Sequence, residues 1–175
     1  MYKFTTFISK RVAERVCFND RSSESILISL NSPPDVTEGS SHPRLNENAW
    51  SKILRLEFHD ADGSGRSIDH RMDEVIAKNN LSLFTEHQAI EILKFLRSHQ
   101  DDHTQVIIHC EGGISRSAAV SKFVAQIYNL EFPEGYSLYN RHVFSTLLRV
   151  HGTSMYGEGP LSPEELPGYL TTTLK

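Results

Sequence analysis

The chain has 175 residues, 38% of them hydrophobic and 23% charged, which suits one globular domain and excludes a collagen, a long coiled coil or a wholly disordered polypeptide. Net charge is −4, from 18 basic and 22 acidic residues, so no overall basic field points to nucleic acid or to an anionic membrane. Two cysteines, Cys17 and Cys110, cannot make a disulfide framework, and with neither a membrane span nor a secretory leader expected, a cytoplasmic, reducing compartment follows.

Residues 3–8 alternate loosely and carry Phe and Thr, which predicts a short strand, followed by a brief helix over 11–16. Residues 25–30, with Ile26-Leu27-Ile28, read as a buried strand. From 31 to 48 the chain turns polar, broken by Pro33-Pro34 and His42-Pro43. Ile53, Leu54, Leu56 and Phe58 mark another strand, ending in the loop that starts His59-Asp60-Ala61-Asp62-Gly63 and runs to about residue 83. Thr85 and Gln88 form a capping-box pattern ahead of a helix whose apolar face is Ala89, Ile92, Leu93 and Leu96. Val106-Ile107-Ile108 predicts a strand covered on both faces, then a glycine-rich loop and a helix carrying Ala118, Ala119, Phe123, Val124 and Ile127. A last helix is expected over 138–150, with a domain over 1–151 and a surface extension over 152–175. Strands alternating with helices predict an α/β fold: one domain with a mostly parallel sheet of four to five strands and helices on both faces.

One segment carries chemistry. A buried strand running into a glycine-rich loop and then a helix gathers backbone N–H groups around one point, where the helix adds about half a positive charge. The loop lacks the G-x-x-x-x-G-K-[ST] pattern of nucleotide triphosphatases. Cys110 sits at its mouth instead, and a helix N-terminus with nearby cations lowers a thiol pKa from about 8.5 toward 3.5–7.5. Arg116, six residues on, offers a planar fork for two phosphate oxygens. A thiolate, a ring of amides and an arginine around one tetrahedral anion make a nucleophilic phosphatase site. The bland alternative for Cys110 is an inert buried thiol, which has no need of such a loop.

His109-Cys110-Glu111-Gly112-Gly113-Ile114-Ser115-Arg116-Ser117 resembles the H-C-x5-R-[ST] signature of the protein tyrosine phosphatase superfamily, and looks most like its compact dual-specificity branch. By average composition that pattern arises by chance on the order of once in a million windows. The resemblance implies that Cys110 attacks phosphorus to give a cysteinyl-phosphate, and that residues 111–116 bind the phosphoryl oxygens, with Arg116 stabilising their charge. It further implies that Ser117 hydrogen-bonds the sulfur and that His109 supports it from behind the strand; a core histidine tied to a carbonyl is the plain alternative. The family's general acid is an upstream Asp just after a strand, which points to Asp60, with Asp62 and then Asp69 as alternatives. The separation from Asp60 to Cys110 is longer than in the smallest family members. Asn140 stands about where related enzymes place an Asn against the loop, and an ordinary helix cap is the other reading. Arg141 and His142 either line the rim or are solvated.

Other patterns are weaker. Asp60-Ala61-Asp62-Gly63-Ser64-Gly65 imitates a calcium loop, but Arg71 stands where the bidentate Glu is needed. His59, Asp60, Asp69, His70 and Asp73 are spaced too irregularly for a metal motif. The chain order departs from that of low-molecular-weight tyrosine phosphatases, and Arg116-Ser117 with an upstream Asp departs from rhodanese-like and arsenate-reducing proteins. The expectation is a hydrolase that needs no metal or cofactor and acts on phosphorylated proteins or peptides, most active on the acidic side of neutral. Alternatives are the same chemistry on a phosphoinositide, a nucleotide or an RNA 5′ phosphate, or a non-catalytic module that binds phosphorylated partners.

Overall fold

Runs of branched residues with side chains needed on both faces specify strands covered from both sides, and these form the centre of the sheet. The computed structural model describes residues 1–15, 24–33, 43–61 and 81–155. Strand β1 (Phe4–Ser9) leads straight into the short helix α1 (Lys10–Arg15). Strand β2 (Ser25–Asn31) is buried at every residue. A 3-10 turn (Glu47–Ala49) precedes β3 (Lys52–Glu57), and then come α2 (Glu86–His99), β4 (Gln105–Cys110), α3 (Arg116–Tyr128) and α4 (Arg141–Met155). The four strands are all parallel, in the order β1-β4-β2-β3.

The fold is an α/β domain whose parallel sheet is flanked by helices. Side-chain alternation sorts the sheet into two faces. Ile26, Ile28, Leu30, Val106 and Ile108 face α2, α3 and α4, where Ile92, Leu96, Val120, Phe123, Val124, Val143 and Leu147 complete the main core. Leu27 and Ile107 face the other way, under Trp50 and Ala49, with Ile8, Leu45 and Ile53 packed around them. No long helix covers that second face among the described residues. The short α1 lies on this side, where Glu14 accepts a bond from the Arg44 N–H at 3.0 Å.

The capping box forms in both directions: Gln88 N–H donates to Thr85 Oγ1 at 3.3 Å and Thr85 N–H to Gln88 Oε1 at 3.0 Å. Such a cap is worth about 1 kcal/mol. Here it also has a positional effect, because Gln88 Nε2 donates to the carbonyl of Glu57 at the end of β3 (2.9 Å). The last helix begins three residues later than its apolar pattern suggests, because the Asn140 side chain accepts from the N–H of Val143 at 3.0 Å and so caps the helix. It also continues to Met155, through Gly152, whose missing side chain faces open space. Arg149 of α4 pairs with Glu86 at the start of α2. Cys17 and residues 156–175 of the expected extension lie outside the described residues.

Candidate active site

In a parallel sheet all strands end along one edge, and ligands in such folds bind there. That edge here gathers the end of β4, the loop 111–115, the first turn of α3, and residues 58–61 after β3. Each of these segments is held in place by identifiable contacts.

The loop is pressed onto the end of β1. Gly113 has φ +65°, a conformation that favours glycine, and a Cβ there would lie 2.3 Å from Ser9 N and 2.5 Å from the Ile8 carbonyl carbon. Only the absence of a side chain lets the loop close this tightly. Three of its carbonyls are then engaged from outside. Lys10 N–H donates to Glu111 O at 3.3 Å, Tyr136 Oη to Ile114 O at 2.7 Å, and Asn140 N–H to Ser115 O at 3.1 Å. A trans peptide carries its N–H opposite its C=O, and no peptide here is cis. The N–H groups of Gly112, Ser115 and Arg116 therefore face away from those three donors. Lys10 also pairs with Glu111 through its ammonium, at 3.5 Å.

Cys110 is 2% exposed at the base of this loop, and its Sγ lies 3.0 Å from Ser117 Oγ. Ser117 occupies the first turn of α3, so helix geometry aims its hydroxyl back at the strand end. Ser115 stands at the cap position of α3 but makes no side-chain cap. Its hydroxyl donates to Asp60 Oδ1 at 2.7 Å.

Arg116 is as buried as Cys110, at 2%. Its Nη1 donates to the carbonyl of Phe58 at 2.7 Å, and the guanidinium carbon sits 5.8 Å from the centre of the Phe58 ring. Its Nε is buried with no hydrogen-bond acceptor among the described residues, and the nearest carboxylate oxygen, Asp60 Oδ2, is 3.9 Å away. Burying a cation this incompletely matched costs several kcal/mol, which an anion bound beside it would offset.

Asp60 is brought here by β3. Besides Ser115, its Oδ1 accepts from Asn140 Nδ2 at 3.0 Å, and the same Nδ2 reaches Ala61 O at 3.3 Å. Asn140 thus caps α4 with its carbonyl oxygen, holds the Asp60 segment with its amide, and holds the loop with its backbone. The strand end is closed by His59 N–H to Ser82 O (2.8 Å) and Ser82 N–H to His59 Nδ1 (2.9 Å). His142 does not stand free in solvent, because its Nε2 lies 2.9 Å from Phe84 O. Arg141 is exposed. Asp62 and Asp69, the alternative acids, lie outside the described residues, as do His70, Arg71 and Asp73.

His109 is fully buried on the opposite face of β4 from Cys110, and its Nε2 lies 2.7 Å from Ser29 Oγ, which also accepts from Asn31 Nδ2 at 3.1 Å. Burial pushes His109 down to about 4, against the pull of its contact with the Cys110 backbone, and Lys10 adds to the lowering. The ring is neutral near pH 7, so from behind the strand it offers the site a dipole and no charge.

Two contributors had no signal in the sequence. The Phe58 carbonyl engages Arg116 only because β3 ends level with β4. Tyr136 belongs to the connection between α3 and α4, and reaches the loop because Phe132 and Tyr136 fold back onto Phe7 of β1, with ring centres 5.8 and 5.1 Å from it.

No protein-family model matches the chain, and no curated protein matches it. Among solved structures, one described as "Crystal structure of Tk-PTP in the active form" matches with 20% identity over 83% of this chain and 76% of that chain, at a TM-score of 0.39. A likeness that faint assigns no activity.

Proposed function

We propose that this chain is a phosphomonoesterase of the protein tyrosine phosphatase superfamily, working without a metal through a cysteinyl-phosphate on Cys110, with phosphorylated proteins or peptides as substrates. The observation that carries the reading is the pairing of Cys110 Sγ with Ser117 Oγ at 3.0 Å beside a buried Arg116 whose Nε lacks an acceptor. An inert core thiol needs neither neighbour.

In the first step the Cys110 thiolate forms a bond to phosphorus while the bond from phosphorus to the leaving oxygen breaks. Charge on the equatorial oxygens is met by Arg116 and by the loop N–H groups that face away from their outer donors. Asp60 protonates the leaving oxygen. Its Oδ1 already accepts from Ser115 and Asn140, so Oδ2 is the oxygen that carries the proton. In the second step water attacks phosphorus and gives its proton back to Asp60. The S–P bond breaks, and the Ser117 hydroxyl stabilises the departing thiolate. Inorganic phosphate leaves and the thiolate is restored.

Ile114, half exposed in the loop, puts apolar surface at the rim of the anion site. That surface suits a phosphate carried on an aryl side chain. The test is turnover of a simple aryl phosphate in the presence of a chelator, with vanadate and a thiol-alkylating reagent as inhibitors. Wild type is expected to turn over and Cys110→Ser to be inert. Capture of phosphopeptides without turnover would support a binding module instead and defeat the proposal.

A further inference from the structure

The loop depends on one hydroxyl that comes from neither the signature nor the acid-bearing segment. Tyr136 Oη donates to Ile114 O at 2.7 Å from a connection 22 residues further along the chain. That connection is stapled down twice. Phe7, Phe132 and Tyr136 form a mutual ring cluster, with Phe132 and Tyr136 at 5.9 Å and nearly perpendicular. Lys122 of α3 sits against Phe132, Tyr139 and Phe144, closest to Tyr139 at 4.1 Å. The phenol is therefore delivered to the loop as part of a packed unit.

The Ile114–Ser115 peptide is trans, so fixing its carbonyl on Tyr136 directs the Ser115 N–H to the opposite side, and that N–H has no acceptor among the described residues. Its partner carbonyl is satisfied while the donor is left over, as expected of a peptide presented to an anion. Were the carbonyl released, the plane could rotate and turn an oxygen toward bound phosphate. Burial, and then the charge of Cys110, raise the Tyr136 pKa above its ordinary value, so the phenol keeps its proton and remains a donor.

We infer that Tyr136 is a positioning residue for oxyanion binding: its hydroxyl locks the Ile114–Ser115 peptide with the N–H presented to the phosphoryl group. The inference rests on the phosphatase reading above. It differs from the role of Asp60, because it concerns the anion and not the leaving group.

The experiment compares wild type, Tyr136→Phe and Leu96→Val for vanadate inhibition and for kcat/KM over aryl phosphates of graded leaving-group basicity. Tyr136→Phe is expected to weaken vanadate inhibition roughly 3- to 10-fold, the value of one net hydrogen bond, and to lower kcat/KM by the same factor for every leaving group. Leu96→Val thins the core at the opposite end of the sheet, where Tyr2 bonds the Leu96 carbonyl, and is expected to lower the melting temperature while keeping vanadate affinity. Wild-type vanadate affinity in Tyr136→Phe, a loss confined to poor leaving groups, or an equal loss in Leu96→Val would each overturn the inference. A wild-type protein that neither turns over nor responds to vanadate would instead overturn the phosphatase reading itself.

Discussion

Gly113 and Gly135 make a matched pair for measuring how tightly the loop is seated. Both have positive φ, +65° and +72°, so alanine at either costs about 1–2 kcal/mol for the left-handed backbone alone. Their surroundings differ completely. A Cβ at 135 meets nothing within 4 Å, whereas one at 113 meets Ser9 N at 2.3 Å, the Ile8 carbonyl carbon at 2.5 Å and Ser9 Cα at 2.8 Å. Those atoms are backbone of a strand paired to β4 from Phe4 through Ser9, so they cannot swing aside as a side chain would. The loop must retreat by roughly 1 Å to bring 2.3 Å up to ordinary contact at 3.4 Å. Overpacking of this kind adds about 1–3 kcal/mol. At roughly 3 °C per kcal/mol for a domain of this size, Gly135→Ala should lower the melting temperature by about 3–6 °C and Gly113→Ala by about 6–15 °C. Activity should separate the two further, since a 1 Å displacement of catalytic groups costs on the order of 100-fold. Thermal melts and kcat/KM on an aryl phosphate measure both effects. Equal melting temperatures and equal turnover in the two variants would refute the close seating of the loop on β1.

Asp60→Asn should slow poor leaving groups by about 100-fold or more and leave very good ones much less affected. Asn140→Ala should show the same leaving-group trend at about a tenth of the size, and should also lose about 1 kcal/mol of stability with the α4 cap; a flat leaving-group series in Asp60→Asn would dismiss Asp60 as the proton donor, and one in Asn140→Ala would dismiss Asn140 as its anchor. His109 gives a prediction in pH. Its folded value of about 4 lies below the ordinary 6.5, so the unfolded chain takes up a proton that the folded one refuses between those values. His109 therefore costs nothing above pH 6.5, and removes up to about 3 kcal/mol of stability as the pH falls to 4. Urea unfolding at pH 7 and pH 4 should show a larger acid loss in wild type than in His109→Gln, and identical losses would contradict a buried neutral ring.

What the sequence made legible is what local pattern controls. The strand–loop–helix around Cys110 could be read because a both-face apolar strand, two adjacent glycines and a helical apolar face follow one another without interruption. The Thr85–Gln88 box could be read because both of its bonds lie within one turn. Strand order was out of reach, since nothing local tells β4 to enter between β1 and β2; that is decided by which crossovers cover both faces. The placement of Asp60 is intermediate. Its position after a strand is a local feature, but its distance from Arg116 depends on β2 lying between β3 and β4. Tyr136 was invisible because its role depends on Phe7, Phe132 and Lys122 packing the α3–α4 connection against the edge of the sheet. α4 runs five residues beyond the 150 that its apolar pattern predicts: Gly152 lowers helix propensity by about 1 kcal/mol but does not stop a helix anchored by Val150 and His151, both buried.

The central claim is a covalent bond between Cys110 and phosphorus. Acid quench of wild type and Ser117→Ala during turnover of an aryl phosphate, followed by peptide mass spectrometry, tests it directly. The account predicts a phosphate on the peptide containing Cys110, more abundant in Ser117→Ala because the sulfur there departs without its hydrogen bond. Robust turnover with that peptide unmodified in both proteins would contradict it.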